Sequence, residues 1–320
     1  MHHSWNSWRP ISTNAPTRDQ ATRMPDISFI ICAHNCLQLT KSMIDSLFRY
    51  TDLENRELIL VDDASTDGTA EYLRSIDGGP IVLTNQSNYG FSKSNNRAAQ
   101  RASGDYLVFL NNDLELSPNW LDPMVELHET QDKVGAVGNV QRNFETGLVD
   151  DAGIFFDLEG MPTHAWKNRK RLPPKAYRER NAITAACLLT KRSLFMELGG
   201  FDESYQNGME DVDLCMKMRS NGYRLIVSHQ SVIRHHISRS PGRHRFNDEN
   251  SELFRKRWSR YASRYGSQDW SAEYFHRYAR YWWRMNPRLA LKAFYLLITR
   301  RASPKAPEFT SIPDGSAKDC

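Results

Sequence analysis

The sequence predicts an α/β fold built around a parallel β-sheet, and three observations carry that expectation. Short apolar runs alternate with helical patterns from Ile27 to Val140, the rhythm of βαβ units. Tyr106-Leu-Val-Phe-Leu110 has no polar interruption, as a central strand covered on both faces requires. Acids follow such runs at Asp62/Asp63 and Asp113, and open α/β sheets bind ligands at the carboxyl ends of their strands.

Taken in order, Ile27 to Ala33 reads as the first strand, ending at His34-Asn35. Leu39 to Tyr50 carries Met43, Leu47 and Tyr50 at helical spacing. Glu57 to Val61 is the second strand, followed by the turn-rich Asp62-Asp-Ala-Ser-Thr-Asp-Gly-Thr69. Thr69 to Ile76 is helical, Pro80 to Thr84 extended, and Ser92 to Ala102 a helix leading into the Tyr106 strand. Pro118 to Thr130 is expected to be a helix and Val134 to Val140 a strand. Gln141 to Tyr177 mixes basic and proline-rich pieces, which predicts irregular structure with a mobile loop. Ala182 to Thr190 is apolar again and precedes a helix through Leu198. Asp211 to Asn221 is helical and stopped by Gly222, and Tyr223 to Val227 is one more short strand.

A chain of 320 residues has room for one large core, or one core and an appendage. Its 40% hydrophobic and 25% charged residues are ordinary for a soluble protein. The net charge of +4 is unevenly spread: Arg255 to Arg301 holds twelve Lys or Arg against two acids, leaving −6 for the remainder. This predicts a neutral-to-acidic body with a basic appendage. The five scattered cysteines argue against a disulfide framework and suit a reducing cytoplasm. Cys32-Ala-His-Asn-Cys36 lacks the second paired set that a zinc site needs. Residues 1–24 contain no apolar stretch like a secretory signal, and no window reaches the roughly 18 apolar residues of a membrane span. The expected organisation is a disordered lead-in over 1–24, a catalytic domain over 25–245, a basic, aromatic-rich helical extension over 246–303, and a disordered tail over 304–320.

Three acidic sites follow three apolar elements. Asp62 and Asp63 could accept hydrogen bonds from a base or a ribose, or could cap the helix that starts at Thr69. Asp113 offers hard oxygens for Mg²⁺ or Mn²⁺, or is simply an acid in a strand-end turn. Glu210 and Asp211 open a helix, where acids suit the macrodipole without any function. Asn207 and Gly208 read as a flexible approach to that helix, so an acid there could act as a general base. His235-His236 could add an imidazole ligand or be structural.

Together these segments resemble a family. Ser28-Phe-Ile-Ile-Cys-Ala-His-Asn35, Val61-Asp-Asp-Ala-Ser-Thr-Asp-Gly-Thr69, Asn88-Tyr-Gly-Phe91 with Asn96, and Gly104-Asp-Tyr-Leu-Val-Phe-Leu-Asn-Asn-Asp113 resemble motifs of the family 2 inverting glycosyltransferases. So do Gly199-Gly-Phe-Asp-Glu203, Glu210-Asp-Val-Asp-Leu214 and His235. The match runs in order over roughly 26–240 and looks most like the bacterial rhamnosyltransferase-like subgroup. It implies the GT-A fold, with a Rossmann-like, mixed but mainly parallel central sheet and helices on both faces, here with a C-terminal helical extension. It also implies that Asp62 and Asp63 bind base and ribose, with Ala33, Asn35, Asn88, Gly90, Asn96 and Asn112 in the donor site. Asp113 would hold a divalent cation (Mg or Mn) on the donor diphosphate, with His235 as second ligand. Asp211 would be the catalytic base, and Glu210 would shape the acceptor side. Many members have two acids at the metal motif. Here Asn111 and Asn112 precede a single Asp113, which predicts a one-carboxylate site completed by the donor.

The function implied is transfer of a sugar from a UDP- or dTDP-sugar, rhamnose among them, to a hydroxyl of a glycan or lipid-linked acceptor in cell-surface polysaccharide synthesis. The rival is a non-catalytic scaffold of the same fold that binds a sugar nucleotide or glycan. A nicotinamide dehydrogenase is disfavoured, since no Gly-x-Gly-x-x-Gly follows the first strand. The tail, with Trp258, Trp270 and Tyr281-Trp-Trp283 among its Arg and Lys, suits either packing on the catalytic domain or contact with an anionic membrane. No nucleic-acid motif accompanies its charge. The expected location is the cytoplasm, at the inner face of the plasma membrane.

Overall fold

β1 (Ile27–Ala33), β2 (Glu57–Asp62), β3 (Ile81–Thr84) and β4 (Tyr106–Asn111) alternate with α1 (Leu37–Tyr50), α2 (Thr69–Arg74) and α3 (Gly90–Arg101). The computed structural model describes residues 26–172, 174–236, 246–278 and 282–299. The expected disordered lead-in and tail lie outside the described residues. β5 (Leu114–Glu115), α4 (Asp122–Thr130), β6 (Val134–Asn143), β7 (Val149–Asp151), β8 (Ile154–Phe156) and β9 (Pro162–His164) follow. Then come β10 (Tyr177–Arg180), β11 (Cys187–Lys191), α5 (Arg192–Glu197), α6 (Glu210–Ser220), β12 (Arg224–His235), α7 (Asn247–Tyr278) and α8 (Pro287–Thr299).

Eight strands form a sheet in the order β10-β12-β6-β11-β4-β1-β2-β3, with β5 added beside β12 and β7 beside β6. The β3-β2-β1-β4 half is wholly parallel, and β12 also runs parallel to β6. β11 runs antiparallel between β4 and β6, which makes the sheet mixed. Side-chain alternation sends Ile30, Val61, Leu107 and Phe109 into one core, with Ala98 and Ala99 of α3 and Val212 of α6. Phe29, Ile31, Val108 and Leu110 enter the other, against Met43 and Leu47 of α1 and Met124 of α4. Both faces of β4 are therefore dry, and an uninterrupted apolar run is what that burial requires.

Three local expectations need correction. The Gln141–Tyr177 segment holds β7 and the antiparallel β8–β9 hairpin, whose strands of three residues are too short to show a period. The last strand does not stop at Val227. It continues to His235 through an irregularity between Ser228 and Val232, where polar residues break the apolar pattern. The helix expected from Pro118 starts at Asp122, because Asn119 adopts a left-handed φ of 57°.

The aromatic extension divides in two. α7 buries Phe254, Trp258 and Tyr261 in the core that the sheet shares with α3 and α6. Trp258 Nε1 donates to Asp213 Oδ1 at 2.7 Å, and Phe254 stacks on Phe156 at 6.0 Å between centroids. At Gly266 the helix meets the hairpin so closely that a Cβ would stand 1.9 Å from the Asp157 carbonyl oxygen. α8, by contrast, leaves most of its apolar side chains exposed.

Because Trp258 is both packed and hydrogen-bonded, Trp258→Ala should cost about 3–5 kcal/mol in urea unfolding monitored by circular dichroism. A loss below about 1 kcal/mol would mean that α7 is not part of the cooperative unit.

Candidate active site

The order β3-β2-β1-β4 reverses direction about β1, so the carboxyl ends of β1 and β4 flank a topological switch point. In-register pairing aligns Ala33 with Asp62 and Cys32 with Asn111, so the loops after β1, β2 and β4 emerge at one edge. A cleft of about 450 Å³ opens there, lined by Asp63, Asn88 and Gly90, by Asp113, and by Glu210 and Asp211.

Asp63 is buried at the base of this cleft and accepts three hydrogen bonds. The Asn85 amide and the Tyr89 N–H donate at 2.7 Å each, and the Gly90 N–H at 2.9 Å. The carboxylate thereby pins the entry to α3. Gly90, with φ 78°, lets the chain pass close to Asn207. Asn88 completes this turn by accepting the Gly90 N–H at 3.0 Å. Asp62 lies beneath the surface and accepts the Ser65 N–H at 3.1 Å. Neither acid caps α2, whose N-cap is Gly68; Asp67, just before it, accepts the Thr69 N–H at 3.1 Å.

The expected donor residues fall into two groups. Ala33, Asp63, Asn88, Gly90, Asn112 and Asp113 line the cleft. Asn35, Asp62 and Asn96 support its walls from outside that lining. Asn35 accepts the Thr66 N–H at 2.8 Å, tying the loops after β1 and β2 together. Asn112 donates to Thr40 Oγ1 at 2.9 Å, which anchors the loop after β4 on α1. Asn96 clamps the turn before α6, donating to the Phe201 carbonyl at 2.8 Å and accepting the Phe201 N–H at 2.9 Å.

Asp113 and His235 meet because β5 pairs antiparallel with β12, placing His235 opposite Leu114. His235 Nε2 lies 3.2 Å from Asp113 Oδ1, and its Nδ1 lies 3.8 Å from Asp150 Oδ2. Both ring nitrogens are buried without a well-aligned hydrogen bond. Two neighbouring ligands of an octahedral cation with bonds of about 2.1 Å stand about 3 Å apart. The Asp113–His235 separation therefore fits joint ligation. Among the described residues no group of three or more His, Cys, Asp or Glu side chains forms a cation cage. Any ion here would draw its remaining ligands from donor and water.

The third acid stands on α6. The approach to this helix is fixed rather than loose. Asn207, Gly208 and Met209 hold φ values of 54°, 152° and 75°. Asn207 accepts the Phe91 N–H at 3.1 Å, and Glu210 turns back to accept the Gly208 N–H at 2.6 Å. Asp211 accepts the Ala185 N–H at 3.1 Å and the Val212 N–H at 2.8 Å. Burial pushes its carboxyl above the usual range, against these bonds and the positive charge of His164.

Two residues of the cleft lining, His34 and His164, and two acids behind it, Asp150 and Asp151, were not singled out as site residues from the sequence. His34 follows β1 directly and donates from Nδ1 to the Asp63 carbonyl at 2.7 Å; its place in the first motif was the available signal. Asp150, Asp151 and His164 lie in the segment read as irregular, where no periodicity pointed to them.

Comparison with known proteins decides the family. The model described as Glycosyl transferase family 2 matches residues 28–199. The chain belongs to this family. It is 33% identical over 226 residues to the O-antigen biosynthesis protein RfbC of Myxococcus xanthus, covering 68% of this chain and 18% of that protein. This family 2 chain thus spans less than a fifth of that relative's length. It is 27% identical over 210 residues to the N-acetylglucosaminyl-diphospho-decaprenol L-rhamnosyltransferase of Mycobacterium tuberculosis, covering 58% of this chain and 68% of the other. The mannosyltransferase PcManGT from Pyrobaculum calidifontis, solved with GDP-Man and Mn²⁺, superposes with TM-score 0.53 at 20% identity, over 87% of this chain and 81% of that one. Such likeness identifies the GT-A fold.

Removing the Asp63 carboxylate would strand three donors in a buried site. Asp63→Ala should therefore destabilise the protein by about 2–4 kcal/mol in chemical denaturation, and amide exchange should quicken at Tyr89 and Gly90. Unchanged exchange there would mean that the carboxylate does not hold this loop.

Proposed function

We propose that this family 2 glycosyltransferase is an inverting, metal-dependent enzyme. It moves a sugar from a UDP- or dTDP-sugar, rhamnose among the candidates, to a hydroxyl of a glycan or lipid-linked glycan in cell-surface polysaccharide synthesis. The observation that carries this reading is the convergence of Asp63, Asp113 and Asp211 on one cleft at the switch point of the sheet. The rhamnosyltransferase and O-antigen names of its relatives support the substrate class.

Asp63 and the Asn88–Gly90 turn would receive the nucleoside, and Asp113 with His235 would hold a divalent cation. When bound, that cation supplies neutralisation of the charge that grows on the departing diphosphate. Asp211, on the opposite side of the reacting carbon, would take the proton from the attacking hydroxyl. Its raised pKa brings it closer to the range in which a general base works near neutral pH. Fixed alignment of the two sugars would supply much of the rest.

The lipid-linked acceptor fits a second feature. On α8, Leu291, Phe294, Tyr295 and Ile298 recur at i, i+3, i+4 and i+7 and are 56–70% exposed, while Ala293 on the other side is buried. Trp282 and Trp283, just before this helix, are 70% and 62% exposed. Arg284, Arg288 and Lys292 accompany them, and no acid occurs between 282 and 299. Among the described residues no helix is long and apolar enough to cross a membrane. We therefore assign this stripe to lie in the interface of an anionic membrane, on its cytoplasmic side, with α7 holding it to the catalytic body.

Two experiments test these assignments. Asp211→Asn should retain thermal stabilisation by nucleotide sugar and Mn²⁺ while losing about 10²–10⁴-fold in turnover. Near-normal turnover would remove Asp211 as the base, and donor binding by the wild type with no turnover would favour the scaffold reading. In vesicle sedimentation, three basic residues at about 1 kcal/mol each predict a roughly 10²-fold preference for anionic over neutral lipid. Trp282→Ala/Trp283→Ala/Phe294→Ser should abolish it; equal or absent binding to both vesicles would overturn the membrane assignment.

A further inference from the structure

We propose that His164 is a positioning residue for Asp211: an imidazolium, held in place by buried Asp151, whose charge favours the ionised form of the base. The inference rests on the reading of Asp211 as the base, and adds a charge partner drawn from a segment with no recognisable motif.

The geometry begins with the β8–β9 hairpin. Its register sets His164 opposite Ile154, and Ile154 in turn bridges to Ala182. The Ile154 N–H donates to the Ala182 carbonyl at 2.9 Å, and the Ala165 N–H to the Gly153 carbonyl at 2.8 Å. The hairpin is thus stitched to the strand of chain that leads, three residues later, to the Ala185 N–H on Asp211. His164, Thr184, Ala185 and Asp211 all line the same cleft.

Asp151 is 1% exposed, and its two oxygens have separate tasks. Oδ2 accepts the Gly153 N–H at 3.0 Å, and Oδ1 accepts His164 Nδ1 at 2.7 Å. A buried carboxylate bonded to one ring nitrogen fixes the imidazole orientation and favours its charged form. Burial alone would lower the His164 pKa, but the Asp151 hydrogen bond and charge outweigh it and raise it above the ordinary value. The ring itself is about half exposed, its side chain having 43% of its surface accessible.

The neighbouring charges leave this pairing distinct. Beside His164, Lys167 is matched with Asp150 at 3.3 Å. On α6, Asp213 is engaged by Lys217 at 3.0 Å and by Trp258, while Glu210 bonds to Gly208 and Cys215 bonds to the Ile183 carbonyl. Arg257 of α7 is taken up by Asp202 at 2.7 Å, and Asp113 stands with His235. Near Asp211, the positive charge that favours its ionised form is that of His164.

Where His164 is protonated, its charge opposes the burial that raises Asp211. Removing that charge raises the Asp211 pKa further, so the acid limb of activity moves to higher pH. The loss grows as pH falls and is small on the alkaline plateau. Asp151→Asn weakens the imidazolium without removing the ring, so it should shift the limb in the same direction by less.

The test is a carboxyl-¹³C NMR titration of the full-length chain labelled at aspartate, with the Asp211 signal assigned by its absence in Asp211→Asn. His164→Gln should raise the Asp211 midpoint, with Asp151→Asn between it and wild type. The pH profile of nucleotide release from dTDP-rhamnose and UDP-N-acetylglucosamine should move likewise. An unmoved or lowered Asp211 midpoint in His164→Gln would overturn the proposal, as would a uniform loss of rate with the limb unshifted. Full turnover by Asp211→Asn would instead sink the base assignment itself, and the two failures are told apart by that variant alone.

Discussion

The in-register ending of β1, β2 and β4 is the constraint on which the cleft depends. Parallel strands buried on both faces can be arranged in few ways, and here the shared register carries the loops after all three to one edge. Backbone N–H groups left at the start of α3 then need acceptors, and Asp63 supplies both of its oxygens to that end. The same carboxylate that would meet a nucleoside is thus part of the scaffold, so binding and folding share an atom set.

On the other side of the cleft, antiparallel strands deliver what the parallel half lacks. β11 seats beside β4 and carries the Thr184–Ala186 stretch to the cleft, while β12 returns along β6 and brings His235 to β5. Asp211 is partly buried there, where backbone N–H groups, a threonine hydroxyl and the charge of His164 favour its ionised form against that burial. A carboxylate so placed is more basic than one in water, and a base needs that property.

The extension shows how one composition can serve two surfaces. α7 and α8 are both rich in aromatic and basic residues, yet α7 sinks Phe254 and Trp258 into the body and α8 keeps Phe294 and Tyr295 outside. Close approach at Gly266 permits the first arrangement. α8 buries Ala293 on one side, while the apolar stripe on its other side stays exposed.

Read residue by residue, the chain determined its own strand–helix rhythm, the strand ending at Asp113, and the acidic sites at Asp63 and Asp211. These are local: apolar periodicity and the residues next to it are written along the chain. Family motifs extended that reading to His235 and to the GT-A fold. Tertiary structure alone decided that Asn35 and Asn96 brace walls, that Asp150 and Asp151 stand behind two histidines, and that α7 packs while α8 does not. It also turned a segment that looked irregular into a hairpin bearing His164. Contacts such as His164 with Asp151, or His235 with Asp113, arise from strand pairing between segments with no shared pattern. Pairing free energy is spread over a whole sheet, so no single stretch of sequence records it.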